Sequence, residues 1–196
     1  MAWFVIPLGS GSLASYIRSH SIDSDAVAGI AEQVRDGLVH LHEVAGFLHL
    51  DVKPSNLLFC PRSVHVHIID FGLCRPWPHN PQTLKNSVNG NAVCTSPYRA
   101  PELFASHVTI EDLSPAVDAW AVGVVLVEAA TGKSLFWGAD GQRDRAAQRV
   151  LSFARDYYSS ASSDGPLAKV PRALRLVARG LLHPDPRRRR CLRQPF

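Results

Sequence analysis

Between Asp118 and Glu128 the chain runs Ala119-Trp120-Ala121-Val122-Gly123-Val124-Val125-Leu126-Val127 without one polar side chain. Ser114-Pro115 ahead of it is a good N-cap and first-position pair, and Gly132 behind it is a natural stop. The pattern predicts a helix from Pro115 to about Ala130. The apolar run is about half as long as a membrane span requires, so the helix is read as buried. A helix that is apolar on every side has to be surrounded by other elements. With the helical stripes that follow, the chain reads as a mostly helical domain.

The remaining elements fit that plan. Ala2 to Ile6 reads as a short strand that ends at Pro7, and Leu8 to Ser12 as a flexible connector. A short helix is expected from Leu13 to about Arg18. Val27, Ile30, Ala31, Val34, Leu38 and Leu41 form one stripe at three- and four-residue steps, which predicts a helix over Asp25 to Val44 ended by Gly46. Leu57 to Phe59 and Val64 to Ile69 read as two strands around a Pro61-Arg62-Ser63 turn. Residues 75–97 carry Pro76, Pro78, Pro81 and Asn89-Gly90-Asn91 and read as a long loop. Two further helices are predicted. One, over Gln142 to Tyr157, has a stripe of Ala147, Val150, Leu151 and Ala154. The other, over Pro171 to Leu182, has Leu174, Val177, Ala178 and Leu181. Ser159 to Gly165 is a polar linker between them. The fold class is thus mainly α with a small β hairpin, and 196 residues suffice for one domain with a substantial core.

Bulk composition narrows the function classes. The net charge of +4 is too mild to argue for nucleic acid, and no segment argues for a membrane. The arginine run Arg187 to Arg190 reads as a solvated or locally paired face. The four cysteines, Cys60, Cys74, Cys94 and Cys191, show no metal spacing and read as reduced thiols, which suits a cytoplasmic protein, with the nucleus as an alternative. Cys74 reads as inert. His65 and His67 read as facing solvent or a polar cleft.

The polar centre is His49-Leu50-Asp51-Val52-Lys53-Pro54-Ser55-Asn56. Pro54 disfavours helical geometry at Lys53, so this stretch is a loop. It precedes the first strand of the hairpin, and Asp70-Phe71-Gly72 follows the second. Pairing of the strands brings Asn56 and Asp70 to one end, where two hard oxygen donors suit Mg2+. Asp51 is a candidate proton acceptor, and Lys53 is a point charge suited to phosphate. Taken singly, Asp51, Asn56 and Asp70 could equally be turn residues. Taken together they meet the needs of phosphoryl transfer, which asks a protein mainly for positioning and charge neutralisation.

At these residues the chain resembles a protein kinase of the serine/threonine type. The loop 49–56 looks like the catalytic loop, Ile68-Ile69-Asp70-Phe71-Gly72-Leu73-Cys74 like the metal-binding segment, and Ser96-Pro97-Tyr98-Arg99-Ala100-Pro101-Glu102-Leu103-Phe104 like the end of the activation segment. The Asp118 helix and Asp185-Pro186-Arg187-Arg188-Arg189 resemble later elements of the same family, in the same order. The resemblance covers nearly all of 1–196, read as a partial kinase domain with a protein-kinase-like C-terminal lobe. It implies a hinge at about 5–12, a catalytic loop at 49–56, an activation segment at 70–102 and a helical lobe at 114–196. It also implies roles. Asp51 accepts or orients the proton of the acceptor hydroxyl, and Lys53 steadies the transferred phosphate. Asn56 and Asp70 hold Mg2+. Leu58 forms the floor under the adenine of ATP, and Pro7 and Leu8 lie in the hinge. His49 packs beneath Phe71, Thr95 contacts the catalytic loop, Glu102 pairs with Arg189, and Asp118 anchors the loop backbone. The implied partner is a protein with a Ser or Thr acceptor, together with a regulatory protein. Tyr98-Arg99-Ala100 and Gly132 to Phe136 resemble the proline-directed subgroup (cyclin-dependent and mitogen-activated types).

Two departures carry expectations. Leu50 stands where the family usually has arginine, so activity should not depend strongly on a loop phosphate bound at that position. No G-x-G-x-x-G precedes the catalytic loop, and Lys53 is the only lysine before residue 80. A chain limited to the hinge and C-terminal lobe is expected to be weak or inactive as a kinase and to expose apolar surface near Phe4, Leu57 and Leu58. The alternatives are a pseudokinase-like binding module without catalysis and a small-molecule phosphotransferase. Ala100-Pro101-Glu102 and Lys53 favour protein substrates over the latter.

Overall fold

The computed structural model describes residues 11–77, 94–105, 108–109, 112–137, 144–159 and 167–196. In chain order its main elements are β1 (Gly11–Ser12), α1 (Leu13–Ser19), α2 (Ser24–His40), β2 (Phe47–Leu48), β3 (Leu57–Cys60), β4 (His65–Ile68), β5 (Arg75–Pro76), α3 (Pro115–Thr131), α4 (Asp144–Ser159) and α5 (Arg172–Leu181). The expected strand at Ala2–Ile6, Pro7, Leu8, most of the 75–97 loop and the linker after Ser159 lie outside the described residues.

Helix α3 is the axis of the fold. Every residue from Val117 to Val127 is buried. Pro115 opens the helix at a position whose N–H has no intrahelical partner in any case. Gly132 closes it in the left-handed conformation at φ +68, a region that favours glycine, and donates its N–H to Glu128 O at 2.9 Å. Helices α2 and α5 pack on α3. Helix α2 begins at Asp23, whose carboxylate accepts from the N–H groups of Asp25 and Ala26. It buries Val27, Ile30, Ala31, Val34 and Leu38. Its continuation, Leu41–Ala45, loosens into a single π-type turn, and Gly46 ends it at φ +74. Helix α5 comes so close to α3 that a Cβ on Gly123 would lie 2.9 Å from Leu181 Cβ and 3.0 Å from the Leu182 side chain.

Strands β3 and β4 pair antiparallel, Leu57 opposite Ile68 and Cys60 opposite His65. Gln33 of α2 holds the hairpin turn, donating Nε2 to Val64 O at 2.8 Å and accepting from Val66 N–H at 3.1 Å. His65 and His67 face solvent. Three sequence expectations need correction. The connector Leu8–Ser12 ends in a strand, because Gly11 and Ser12 pair with Phe59 and Leu58 and so cover the open edge of β3. Nor do Leu57 and Leu58 present the apolar surface expected of them: Leu57 is in the core, and Leu58 is 8% exposed. Phe4 lies outside the described residues. On α4 the buried residues are Ala146, Val150 and Phe153, a stripe rotated from the expected one, and Leu151 is 41% exposed. The cause is aromatic. Phe153 meets Trp120 and Phe136 edge-on at centroid distances of 6.0 and 5.5 Å, and these larger rings set the helix face.

Because the α3–α5 contact leaves no room for a side chain, Gly123→Val should overpack it and lower stability by about 1–3 kcal/mol. Urea unfolding followed by circular dichroism checks this: the midpoint should fall with the slope unchanged.

Candidate active site

The site begins with a buried acid. Asp118, in the first turn of α3, is 1% exposed, and a buried carboxylate needs donors. It has three. Oδ2 accepts from His49 N–H at 2.9 Å and from His42 Nε2 at 2.8 Å, and Oδ1 accepts from Leu50 N–H at 2.8 Å. An ionised carboxylate only accepts, so His42 carries its proton on Nε2. Leu50 lies between these bonds at φ +64, the left-handed region that leucine avoids at a cost of about 1–2 kcal/mol. Its side chain is in the core, and it offers no charge to a phosphate.

That backbone turn sets the direction of Asp51. Asp51 is 6% exposed, and its carboxylate accepts four donors. Oδ2 takes Lys53 Nζ at 2.6 Å and Asn56 Nδ2 at 3.0 Å; Oδ1 takes Thr95 Oγ1 at 2.7 Å and Thr95 N–H at 3.2 Å. Lys53 Nζ also donates to Thr95 Oγ1 at 2.9 Å, which leaves one of its three protons uncommitted among the described contacts. Pro54 opens a single 3-10 turn over Pro54–Asn56, and Lys53 before it is extended, as the proline ring requires. This turn points Asn56 back at Asp51, whose backbone oxygen also receives Nδ2 at 2.9 Å. With both donor bonds of its amide spent on Asp51, Asn56 retains Oδ1 as an oxygen donor for a cation.

Asp70 arrives from the other strand. Ile69 N–H donates to Asn56 O at 2.9 Å, so the residue before Asp70 is bonded to Asn56 itself. Asp70 is exposed and held at φ +64, a conformation that a short polar side chain tolerates, and among the described contacts Oδ1 accepts one long bond of 3.3 Å from Gly72 N–H. No cluster of three or more His, Cys, Asp or Glu suited to a metal exists among the described residues. Asn56 Oδ1 and the Asp70 carboxylate are the two oxygen groups that could hold Mg2+, which takes one or two protein oxygens and completes its shell with water and substrate phosphates. Leu58 lies on β3 opposite His67 and presents little surface to an adenine ring. Pro7 and Leu8 lie outside the described residues.

His49 is fully buried and meets the Phe71 ring edge-on at 5.3 Å, while its Nε2 lies 3.2 Å from Ile69 O. Cys74 Sγ donates weakly to His49 O at 3.8 Å. Burial pushes the Cys74 thiol up to about 11, which keeps it protonated and unreactive at neutral pH.

A second anchor fixes the far end of the segment. Arg189 donates NH1 to Glu102 Oε1 at 2.7 Å and NH2 to Glu102 Oε2 at 2.8 Å. Its other donors meet Ala116 O, His183 O and Pro184 O, so all five N–H groups are used. Two functional contacts went unread in the sequence. His42 follows no spacing rule relative to Asp118. Glu128 reads as the boundary of the apolar run but is an inward-facing acid that accepts the Tyr98 hydroxyl at 2.7 Å. A lone acid in an apolar helix needs a donor, and that need was the available signal. Burial raises the Glu128 carboxyl above the usual carboxylate range.

Removing Arg189 leaves Glu102 and three carbonyls without their donor. Arg189→Ala should cost about 3–5 kcal/mol. Arg189→Lys should recover only a small part, since an ammonium cannot reproduce the planar fork. Thermal unfolding of the two variants beside the parent chain measures both.

A family model described as protein kinase domain matches residues 2–195. The chain is 30% identical over 178 residues to mitogen-activated protein kinase p38b of Drosophila melanogaster, covering 90% of this chain and 45% of that protein. It is 31% identical over 186 residues to ribosomal protein S6 kinase alpha-4 of Mus musculus, covering 93% of this chain and 23% of that protein. Mitogen-activated protein kinase pmk-1 of Caenorhabditis elegans is 33% identical over 138 residues, 70% of this chain and 33% of its own length. The chain thus spans less than half the length of the curated relatives it matches, and over that span it belongs to the protein kinase domain family.

Proposed function

We propose that this chain carries the phosphotransfer machinery of a serine/threonine protein kinase, acting on a protein hydroxyl with ATP and Mg2+. The observation that supports it most is the sharing of Lys53 and Asn56 by Asp51, with Asn56 bonded through its backbone to the residue beside Asp70. Bound MgATP would supply the phosphoryl group and the divalent charge. Asp51 orients the acceptor hydroxyl and takes its proton. Its four acceptor positions are filled in this state, so an incoming hydroxyl displaces one donor, and the weak Thr95 N–H bond is the easiest to give up. Lys53 directs its free proton at the transferred phosphate. Asn56 Oδ1 and Asp70 would hold the metal.

A finer reading concerns the acceptor sequence. Cys94, immediately before Thr95, is held at φ +65, and its carbonyl accepts Arg99 NH2 at 3.0 Å. In this reading a peptide with its hydroxyl at Asp51 runs past the Cys94 carbonyl with the next residue. That oxygen already accepts one bond from the buried Arg99, which makes it a weaker acceptor for a peptide N–H. Proline, which has none, loses nothing there. The preferred acceptor is therefore Ser or Thr followed by Pro, in keeping with the resemblance to proline-directed kinases and with relatives named mitogen-activated protein kinases.

Two measurements test these readings. Added MgATP should raise the melting temperature of the parent chain and of Asp51→Asn, but not of Asp70→Ala. Phosphate transfer to a basic protein should fall by about 10²–10⁴-fold in Asp51→Asn. MgATP binding with no Asp51-dependent transfer would instead favour the binding-module reading. For the acceptor, kcat/KM for a Ser-Pro peptide should exceed that for its Ser-Ala counterpart by about tenfold or more, a margin of roughly 1.4 kcal/mol. Arg99→Ala should narrow that gap.

A further inference from the structure

Residues 167–196 hold nine of the chain's 21 Lys and Arg but one of its 17 Asp and Glu, a local charge of +8 in a chain of net +4. The first 166 residues are therefore net −4. Such an asymmetry points to an acidic partner unless the basic groups are used internally. Some are. Arg189 is buried on Glu102, Arg193 pairs with Glu43, and Arg175 reaches the carbonyls of Ala168 and Val170. Arg179 lies over the Tyr157 ring at 5.7 Å and keeps its charge. Among the described residues no carboxylate pairs with Arg172, Arg187 or Arg188, and all three are exposed.

The groups on α5 share a surface, and the arginine run lies at one end of it. Arg172, Leu176 and Arg179 follow one another at four- and three-residue steps along α5, so they lie on one face. The opposite face carries the buried Leu174, Ala178 and Leu181. Leu176 is 76% exposed, the most exposed large apolar side chain among the described residues. The turn after α5 folds back on the helix: Arg190 N–H donates to Gly180 O at 2.9 Å, which brings the arginine run to the C-terminal end of α5.

The composition of this face selects among anionic partners. Nucleic-acid phosphates would use the arginines and leave Leu176 uncovered. A membrane surface calls for a broad apolar face, and here there is one leucine. A polypeptide can present carboxylates to guanidinium forks and an aliphatic side chain to the leucine between them. We propose that the outer face of α5, with the Arg187–Arg188 turn, is a docking surface for an acidic polypeptide segment bearing an aliphatic side chain among its carboxylates. This does not draw on the phosphotransfer reading.

The test uses the full chain and a fluorescent peptide of Glu and Asp around a central Leu, followed by anisotropy. Binding should weaken steeply as salt is raised. The double variant Arg172→Glu with Arg188→Glu should weaken it by about tenfold or more, in line with reversal of close charge pairs. Leu176→Ser and a peptide with Ser in place of Leu should each weaken it severalfold, with no added loss when combined, because they remove the two sides of one contact. Unchanged circular dichroism melting confirms that these exposed substitutions leave the fold intact. The proposal is overturned if the peptide does not bind, or if Leu176→Ser binds like the parent chain. It is also overturned if a single-stranded oligonucleotide or a phosphatidylserine vesicle binds as tightly as the peptide.

Discussion

The carboxylate of Asp118 holds the functional part of this molecule in place. It is buried at the start of the apolar helix, where an unpaired charge would cost several kcal/mol. It avoids that cost by binding two consecutive backbone N–H groups, those of His49 and Leu50. The same bonds force Leu50 into a left-handed conformation that its side chain resists. Each hydrogen bond to a charged group contributes about 1.5–3 kcal/mol, so two of them outweigh a strain of about 1–2 kcal/mol. The reversal of chain direction at Leu50 then sets where the Asp51 carboxylate meets Lys53, Asn56 and Thr95. One buried acid thereby sets the position of another.

A second constraint operates on the segment that faces Asp51. Thr95 gives both its hydroxyl and its N–H to Asp51, and seven residues later Glu102 is clamped by Arg189. Between them Tyr98 and Arg99 are drawn inward by Glu128 and by Cys94 O. The segment is therefore tied at both ends to the same helical body, through α3 and through the turn that follows α5. Its approach to the catalytic loop is set by buried polar contacts, which are directional, rather than by apolar packing, which is not.

Much of this was legible in the residues. The period of α2, the stop at Gly46, the proline that opens α3 and the hairpin at 57–68 are local signals, since each depends on side chains within one turn of helix or one strand pair. The contacts of Asp51 with Lys53 and Asn56 were legible for the same reason, because the three lie within six residues of one loop. The misreadings were of another kind. The stripe on α4 reads from Ala147, Val150, Leu151 and Ala154, whereas Phe153 decides the face, since its ring meets Trp120 and Phe136 from distant parts of the chain. Gly11 and Ser12 read as a connector because nothing adjacent to them shows that β3 has an open edge.

By itself the sequence determined that one helix must be buried, that the chain is mainly helical, and which residue types could handle phosphate, since hydrophobic period, turn chemistry and donor inventory are properties of short stretches. Only the tertiary structure decided that His42 shares Asp118 with the catalytic loop, that Glu128 faces inward to Tyr98, and that Arg99 takes the Cys94 carbonyl. Those choices depend on satisfying buried polar groups across long separations in the chain. Their cost appears only once the surrounding water has been excluded, and that requires the assembled fold.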